Sequence, residues 1–190
     1  FDIRGNDLNH SYNIAYSFKD ISGITKQQLK QLVDQNEVVS FDIFDTLFMR
    51  RTLFSSDVFE IIESKLKQRN VHIENFSKLR LNSEQELTKI CTPTLLQIYS
   101  HMKEKGILYQ VSPQELAELE WQVDKELLIP RREVCELLEE ICAEGKRVYL
   151  VSDTYYTGNQ LEQLLEEHSI KGMVEIISSC DYGTSKTQNL

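Results

Sequence analysis

The sequence predicts an α/β fold: a parallel sheet whose first strand is followed by a large helical insertion. Three observations carry this. Short apolar runs at residues 37–41, 146–151 and 173–177 read as strands. The last two are joined by a segment of helical periodicity, and strands linked through helices of about 10–15 residues pair in parallel through crossovers. Finally, the stretch from 53 to 128, between the first and second strands, is helical throughout.

Residues 1–23 are polar and weakly patterned; with a helix over 24–34 they make an N-terminal segment, 1–36. In that helix Thr25 and Gln28 fit a capping box, and Leu29, Leu32 and Val33 share a face. The strand 37–41 reads as buried and runs into an acidic turn, Asp42-Ile43-Phe44-Asp45-Thr46. Val58, Ile61, Ile62 and Leu66 stripe a helix over 55–69, and Phe76, Leu79, Leu87 and Ile90 stripe one over 76–90. Leu95, Ile98, Tyr99 and Met102 stripe a third over 95–105, with Gly106 as its stop. Ser112-Pro113-Gln114-Glu115 is a capping box with proline at the first helical position, opening a helix that carries Leu116, Leu119, Val123 and Leu127. Four narrow stripes predict a small bundle packed on itself.

After Pro130 the pattern changes. A helix over 131–144 carries Val134, Leu137, Leu138 and Ile141 and ends at Gly145. The second strand leads into Ser152-Asp153-Thr154. Thr157 and Gln160 cap a helix over 157–168, and after the third strand a polar loop, 178–185, leads to Lys186. The implied division is a core of 37–52 and 129–190 with an insertion of 53–128.

A chain of 190 residues holds one such domain plus an insertion, and 41% apolar content suits a folded core. The net charge of -9 argues against a nucleic-acid or anionic-membrane binder, because Arg50-Arg51 and Arg131-Arg132 are too small to form a basic patch. No apolar run approaches the ~20 residues of a membrane span. The chain starts with Phe and shows no signal peptide, so it reads as a segment of a longer cytoplasmic protein. Cys91, Cys135, Cys142 and Cys180 have no metal-type spacing and read as reduced, buried thiols. His10, His72, His101 and His168 have none either.

The chemistry gathers just past the strand ends, where open parallel sheets bind their ligands. A carboxylate at the tip of an apolar strand is costly unless it has a partner or a task, which singles out Asp42. An aspartate can act as nucleophile in phosphoryl transfer. The phosphate oxygens then need hydroxyl or backbone donors, and the meeting of two anions needs a cation. Ser152, Thr46 and Lys186 are residues of those types at the ends of three predicted strands. Magnesium, bound by one or two carboxylates and the phosphate, would complete the neutralisation. Asp153 and Asp45 read first as local hydrogen-bonding residues of their turns. Arg50 and Arg51 read as a solvated pair or as a greeting for an anionic substrate, Tyr155 and Tyr156 as core or as lining of the site, and Trp121 as packed between insertion and core.

FDIFDTL at the end of the first strand, VYLVSD at the end of the second and GTSK after the third together resemble the motifs of the haloacid dehalogenase (HAD) superfamily. The resemblance covers roughly residues 37–190, and the insertion lies where many members carry a helical cap. It implies a three-layer, Rossmann-like core with such a cap, and a magnesium-dependent phosphate ester hydrolase. Asp42 would be nucleophile and metal ligand, Ser152 would hold phosphoryl oxygens with Thr46 and Asp153 beside it, and Lys186 would offset charge. The family's fourth motif, which completes the metal site, would lie beyond residue 190, leaving the core incomplete at its C-terminal end. The wording FDIFDTL with VSDTYY is most similar to a bacterial branch found beside or fused to glycosyltransferases of surface-polysaccharide synthesis. That implies a small phosphorylated metabolite or sugar phosphate as substrate. One position departs. Phosphatases of the family carry a second aspartate two residues after the nucleophile as general acid; here Phe44 stands there, with Asp45 as the alternative acid one residue on. Phe44 favours a second reading, a catalytically degenerate domain that binds a ligand or partner in a glycosyltransferase-associated protein. Dehalogenation, which needs no such acid, ranks last.

Overall fold

A computed structural model describes residues 25–188. The polar opening stretch, the first residue of the expected first helix and His10 lie outside the described residues. The order is α1 (Lys26–Asp34), β1 (Val38–Phe41), β2 (Phe48–Arg50), α2 (Asp57–Gln68), α3 (Phe76–Leu87), α4 (Leu95–Glu104), α5 (Pro113–Leu127), β3 (Leu128–Pro130), α6 (Arg132–Ala143), β4 (Arg147–Ser152), α7 (Gly158–Glu167), β5 (Val174–Ser178), α8 (Ser179–Tyr182) and a 3-10 turn, Lys186–Gln188. The fold is α/β. β1, β4 and β5 form a three-stranded parallel sheet in the order β1-β4-β5, and β2 and β3 form a separate two-stranded sheet.

The chain divides into two compact units. The first comprises the described part of Phe1–Met49, with Pro130–Leu150 and Leu165–Glu175. In it α1 starts with the expected capping box, Thr25 and Gln28 each bonding the other's backbone. Its C-terminal carbonyls are covered by Lys146, whose ammonium donates to Val33, Asp34 and Asn36 at 3.0, 3.3 and 2.7 Å. Lys26 reaches Glu140 of α6 and Lys30 reaches Glu144 just past its end. α6 buries Val134, Cys135, Leu137, Leu138 and Ile141, the stripe its periodicity predicts, and Gly145 follows it at φ 80, as a glycine stop requires. β1 and β4 pair in parallel from Val38↔Arg147 to Phe41↔Leu150. β1 is not the buried strand expected: Val38 is 43% exposed and only Phe41 is buried. The reason is its edge position in the sheet, where one side has no partner strand among the described residues.

The second unit comprises Arg50–Ile129, Val151–Leu164 and the described part of Ile176–Leu190. α2 to α5 pack as the expected bundle, each touching two of the others: α2 with α3, α3 with α4, α4 with α5 and α5 with α2. Ile62, Leu66, Phe76, Ile98, Tyr99, Met102 and Leu116 are buried at 2% exposure or less and form its centre. The capping box at Ser112 and Glu115 is present, and Thr94 with Gln97 forms another that the sequence reading left unmarked. The segments following β4 and β5 group with this helical block.

Four expectations are corrected. α3 stops at Leu87 rather than Ile90, because the Thr88 hydroxyl folds back onto the Glu84 and Gln85 carbonyls and Ile90 is left 84% exposed. The segment 178–185 is not all loop: Ser178 ends β5, Ser179–Tyr182 make α8, and Gly183 in the left-handed region at φ 69 ends that helix. β2 and β3 went unread because strands of three residues are too short to show a period. Of the four thiols only Cys135 is buried, and burial pushes its pKa up to about 12; Cys91 is exposed and the other two are intermediate. Among the described residues no helix is long and apolar enough to cross a membrane.

Candidate functional site

The turn after β1 is built by alternation. Ile43, Leu47 and Phe48 are at most 1% exposed, and Asp42, Phe44 and Thr46 between them are half-buried. The carbonyl of Ile43 accepts from the backbone N–H groups of both Leu47 and Phe48 at 2.9 Å, which closes the turn. The Leu47 carbonyl in turn accepts the Arg131 backbone N–H at 2.7 Å and lies 3.7 Å from the Cys135 thiol, so the start of α6 clamps it. Phe44 pairs with Phe48 in an isolated bridge. Asp45 is exposed with φ 58, in the left-handed region that aspartate tolerates better than most residues. The structure therefore fixes the backbone at Phe44 and leaves Asp45 outward in solvent.

Asp42 is the next residue after Phe41, which faces Leu150 in the parallel register. Ser152 is the last residue of β4 and is 1% exposed. Asp42 therefore follows one strand and Ser152 ends its parallel neighbour. Beyond Ser152 the chain is laced to the segment after β5. The Asp153 carboxylate accepts the Lys186 backbone N–H at 2.9 Å. The Ser179 hydroxyl takes the Thr154 N–H at 2.9 Å and donates to the Thr154 carbonyl at 3.1 Å. Ser178 donates to the Tyr156 carbonyl at 2.6 Å, and Asp181 accepts the Gly158 N–H at 2.7 Å. Asp153 is thus not a local turn residue as read from sequence: its partner is 33 positions away. The structure brings Asp153 and Lys186 together through that bond, with the Lys186 side chain exposed.

The largest surprise is charge inside the helical block. Arg80 and Glu120 are both 0% exposed and form a bidentate pair at 2.9 and 2.7 Å, with Glu84 on the remaining arm of the guanidinium at 2.6 Å. The Tyr99 hydroxyl donates to Glu120, and the guanidinium lies over the rings of Phe59, Tyr99 and Tyr155 at 4.9, 5.5 and 4.8 Å. Beside it, Arg50 makes a second bidentate pair with Asp124 at 2.7 and 2.8 Å. Arg50 is therefore neither solvated nor a free greeting for substrate. Burial alone would lower the pKa of both arginines, yet their carboxylates carry each above its usual value. Burial first, and charged or phenolic neighbours after it, raise the pKa of Tyr99, Tyr155 and Tyr156, so these phenols stay protonated, and Tyr99 and Tyr156 donate to Glu120 and Asp124. The signal was present in the sequence: Glu120 and Asp124 fall at i+4 and i+8 from Leu116, on the apolar stripe of α5, and Arg80 falls at i+4 from Phe76. Trp121 is 2% exposed and stacks obliquely on Tyr156 at 4.8 Å.

Near the turn after β1 sits a further group the sequence reading passed over. The Arg131 Nε is buried with no hydrogen-bond partner among the described residues. His168, just past α7, packs on Phe48 at 5.1 Å, and burial lowers its pKa, against the raising that a helix C-terminus alone would give. Among the described residues no three His, Cys, Asp or Glu side chains gather as a metal cluster. A carboxylate such as that of Asp42 is a hard oxygen donor of the kind magnesium takes, and by itself it does not make an all-protein cage.

No protein-family model matches the chain, and no curated protein sequence matches it. What the fold defines on its own is the class: an α/β protein with a parallel sheet and a helical bundle inserted between its first strand and the next strand of that sheet.

Proposed function

We propose that this chain is a HAD-like hydrolase domain with a helical cap, acting on a phosphate ester through Asp42. A carboxylate oxygen of Asp42 attacks phosphorus, the bond to the ester oxygen breaks, the departing oxygen takes its proton from water, and the aspartyl phosphate so formed is hydrolysed by a second water. The Ser152 and Thr46 hydroxyls donate to the phosphoryl oxygens, Asp153 holds the Lys186 segment beside them, and the Lys186 ammonium offsets the charge of carboxylate and phosphate. Magnesium, when bound at Asp42, would supply Lewis-acid neutralisation of the phosphate. The reading carries with it a small sugar phosphate or similar metabolite as substrate, a cytoplasmic setting and association with a glycosyltransferase.

The single observation that carries it is the parallel register of β1 with β4, Phe41 opposite Leu150, in a chain where Asp42 follows the first and Ser152 ends the second. The bond from Asp153 to the Lys186 backbone adds support. The test is a screen of phosphate monoesters with and without magnesium, with Asp42→Asn alongside. Magnesium-dependent turnover that disappears in the variant is the expected result. Turnover that survives the substitution refutes Asp42 as nucleophile.

One observation favours the second reading, a degenerate domain that binds a ligand or partner. Phe44 holds the position of the general acid, and Asp45 beside it is turned out at φ 58. General acid help is worth about 10²–10⁴-fold, so its loss alone could silence a phosphatase. Absence of turnover on every sugar phosphate and nucleotide, with a retained fold, would select that reading.

A further inference from the structure

We infer that Asp124 and Tyr156 are positioning residues for the loop that follows β4, holding Ser152 and Lys186 in place from within the helical block. This rests on the hydrolase reading above. Asp124 is 1% exposed. Its two oxygens already take the forked donors of Arg50, and Tyr156 adds a third bond through its hydroxyl at 2.9 Å. Tyr156 cannot satisfy that bond and wander: its ring is 1% exposed, packed on Trp121 and edge-on to Tyr155 at 4.8 Å in both cases.

From Tyr156 the hold runs back toward Ser152 without a gap. The Tyr156 N–H donates to the Thr154 hydroxyl at 3.2 Å, and its carbonyl accepts from Ser178 at 2.6 Å. The Tyr155 carbonyl accepts the Leu95 N–H of α4 at 3.0 Å, and the Tyr155 ring lies under Arg80. Thr154 is clasped on both backbone faces by Ser179. Asp153 holds the Lys186 backbone. Four consecutive residues, 153 to 156, are each tied to a segment distant in sequence. A polar loop after a strand would otherwise sample many conformations, and a phosphate site loses rate steeply when its donors stray. The two consecutive tyrosines are what connect the loop to the buried acids of α5.

Tyr156→Phe tests this, because it deletes one hydroxyl and keeps the ring. Three readouts are taken on the whole protein: the thermal melt, amide hydrogen exchange over 153–158 and at 186, and steady-state kinetics on p-nitrophenyl phosphate. The expected result is a near-native melt, exchange over 153–158 and at 186 faster by about tenfold, and kcat lower by about tenfold with KM little changed. Asp124→Asn, which is expected to lower the melt because Arg50 loses its partner's charge, is read by exchange over 153–158 and at 186 relative to that of the helices. Exchange over 153–158 and at 186 that stays at the unaltered protein's level in both variants overturns the inference, and so does a loss spread evenly over every helix. If the unaltered protein turns over no phosphate ester, the hydrolase reading fails, and the exchange measurement alone then decides whether Asp124 and Tyr156 order the loop.

Discussion

In the proposed hydrolase, Phe44 is the residue on which the chemistry turns. Its backbone is pinned by the bridge to Phe48, so its side-chain direction is set by the turn rather than left free. A phenyl ring cannot hand a proton to a leaving alkoxide, and Asp45 next to it is exposed at φ 58. Phe44→Asp is expected to raise phosphate monoester turnover by at least about 10²-fold, the scale of general acid help, with Phe44→Asn as the uncharged control. Equal rates for both variants would remove the general acid argument. At this scale the sequence was informative about Asp42 and Ser152, because each ends an apolar run and a polar residue at a strand tip is visible without any structure. It was uninformative about the bond between Asp153 and Lys186. A side chain meeting a backbone N–H 33 positions on has no periodic trace in a sequence.

Among the elements, α5 carries the most. It presents Glu120 and Asp124, both at most 1% exposed, on the same stripe as Leu116 and Val123. Each acid is neutralised by a forked arginine, Arg80 from α3 and Arg50 from β2. Removing one member of such a buried pair leaves an uncompensated charge, at a cost of about 3–5 kcal/mol, whereas replacing both with apolar groups of similar volume is close to neutral. Glu120→Ala is therefore expected to lower stability by that amount in urea unfolding, and Arg80→Met with Glu120→Leu to recover most of it. A loss below about 1 kcal/mol for Glu120→Ala would mean that the pair contributes no more than an exposed one. Helix existence was readable from periodicity and capping boxes at Thr25, Ser112 and Thr157. The pairing of the buried charges leaves no such trace, because an apolar stripe reads as core and the arginines that neutralise its acids lie 40 and 74 positions away. β2 and β3 lay below the length at which any period can be seen.

For the whole molecule, a net charge of -9 sets the electrostatic character, and the cations that matter are local ones. Two arginines are committed to buried acids, and the Lys186 backbone is committed to Asp153. The order of β1, β4, β5 and the helices α1 to α7 followed from the alternation of periods, since a 2-period and a 3.6-period are distinguishable over ten residues. The grouping of 151–164 and 176–188 with the helical block did not follow, because it depends on Tyr155, Tyr156 and Ser179 meeting partners that only folding brings near. The account as a whole stands on a covalent step at Asp42, and that step can be trapped. The protein is mixed with a phosphate ester and magnesium, quenched with sodium borohydride, which reduces an acyl phosphate to an alcohol, and digested for peptide mass spectrometry. Conversion of Asp42 to homoserine, dependent on substrate, is the predicted result; an unaltered Asp42 peptide in a protein that is releasing phosphate would contradict it.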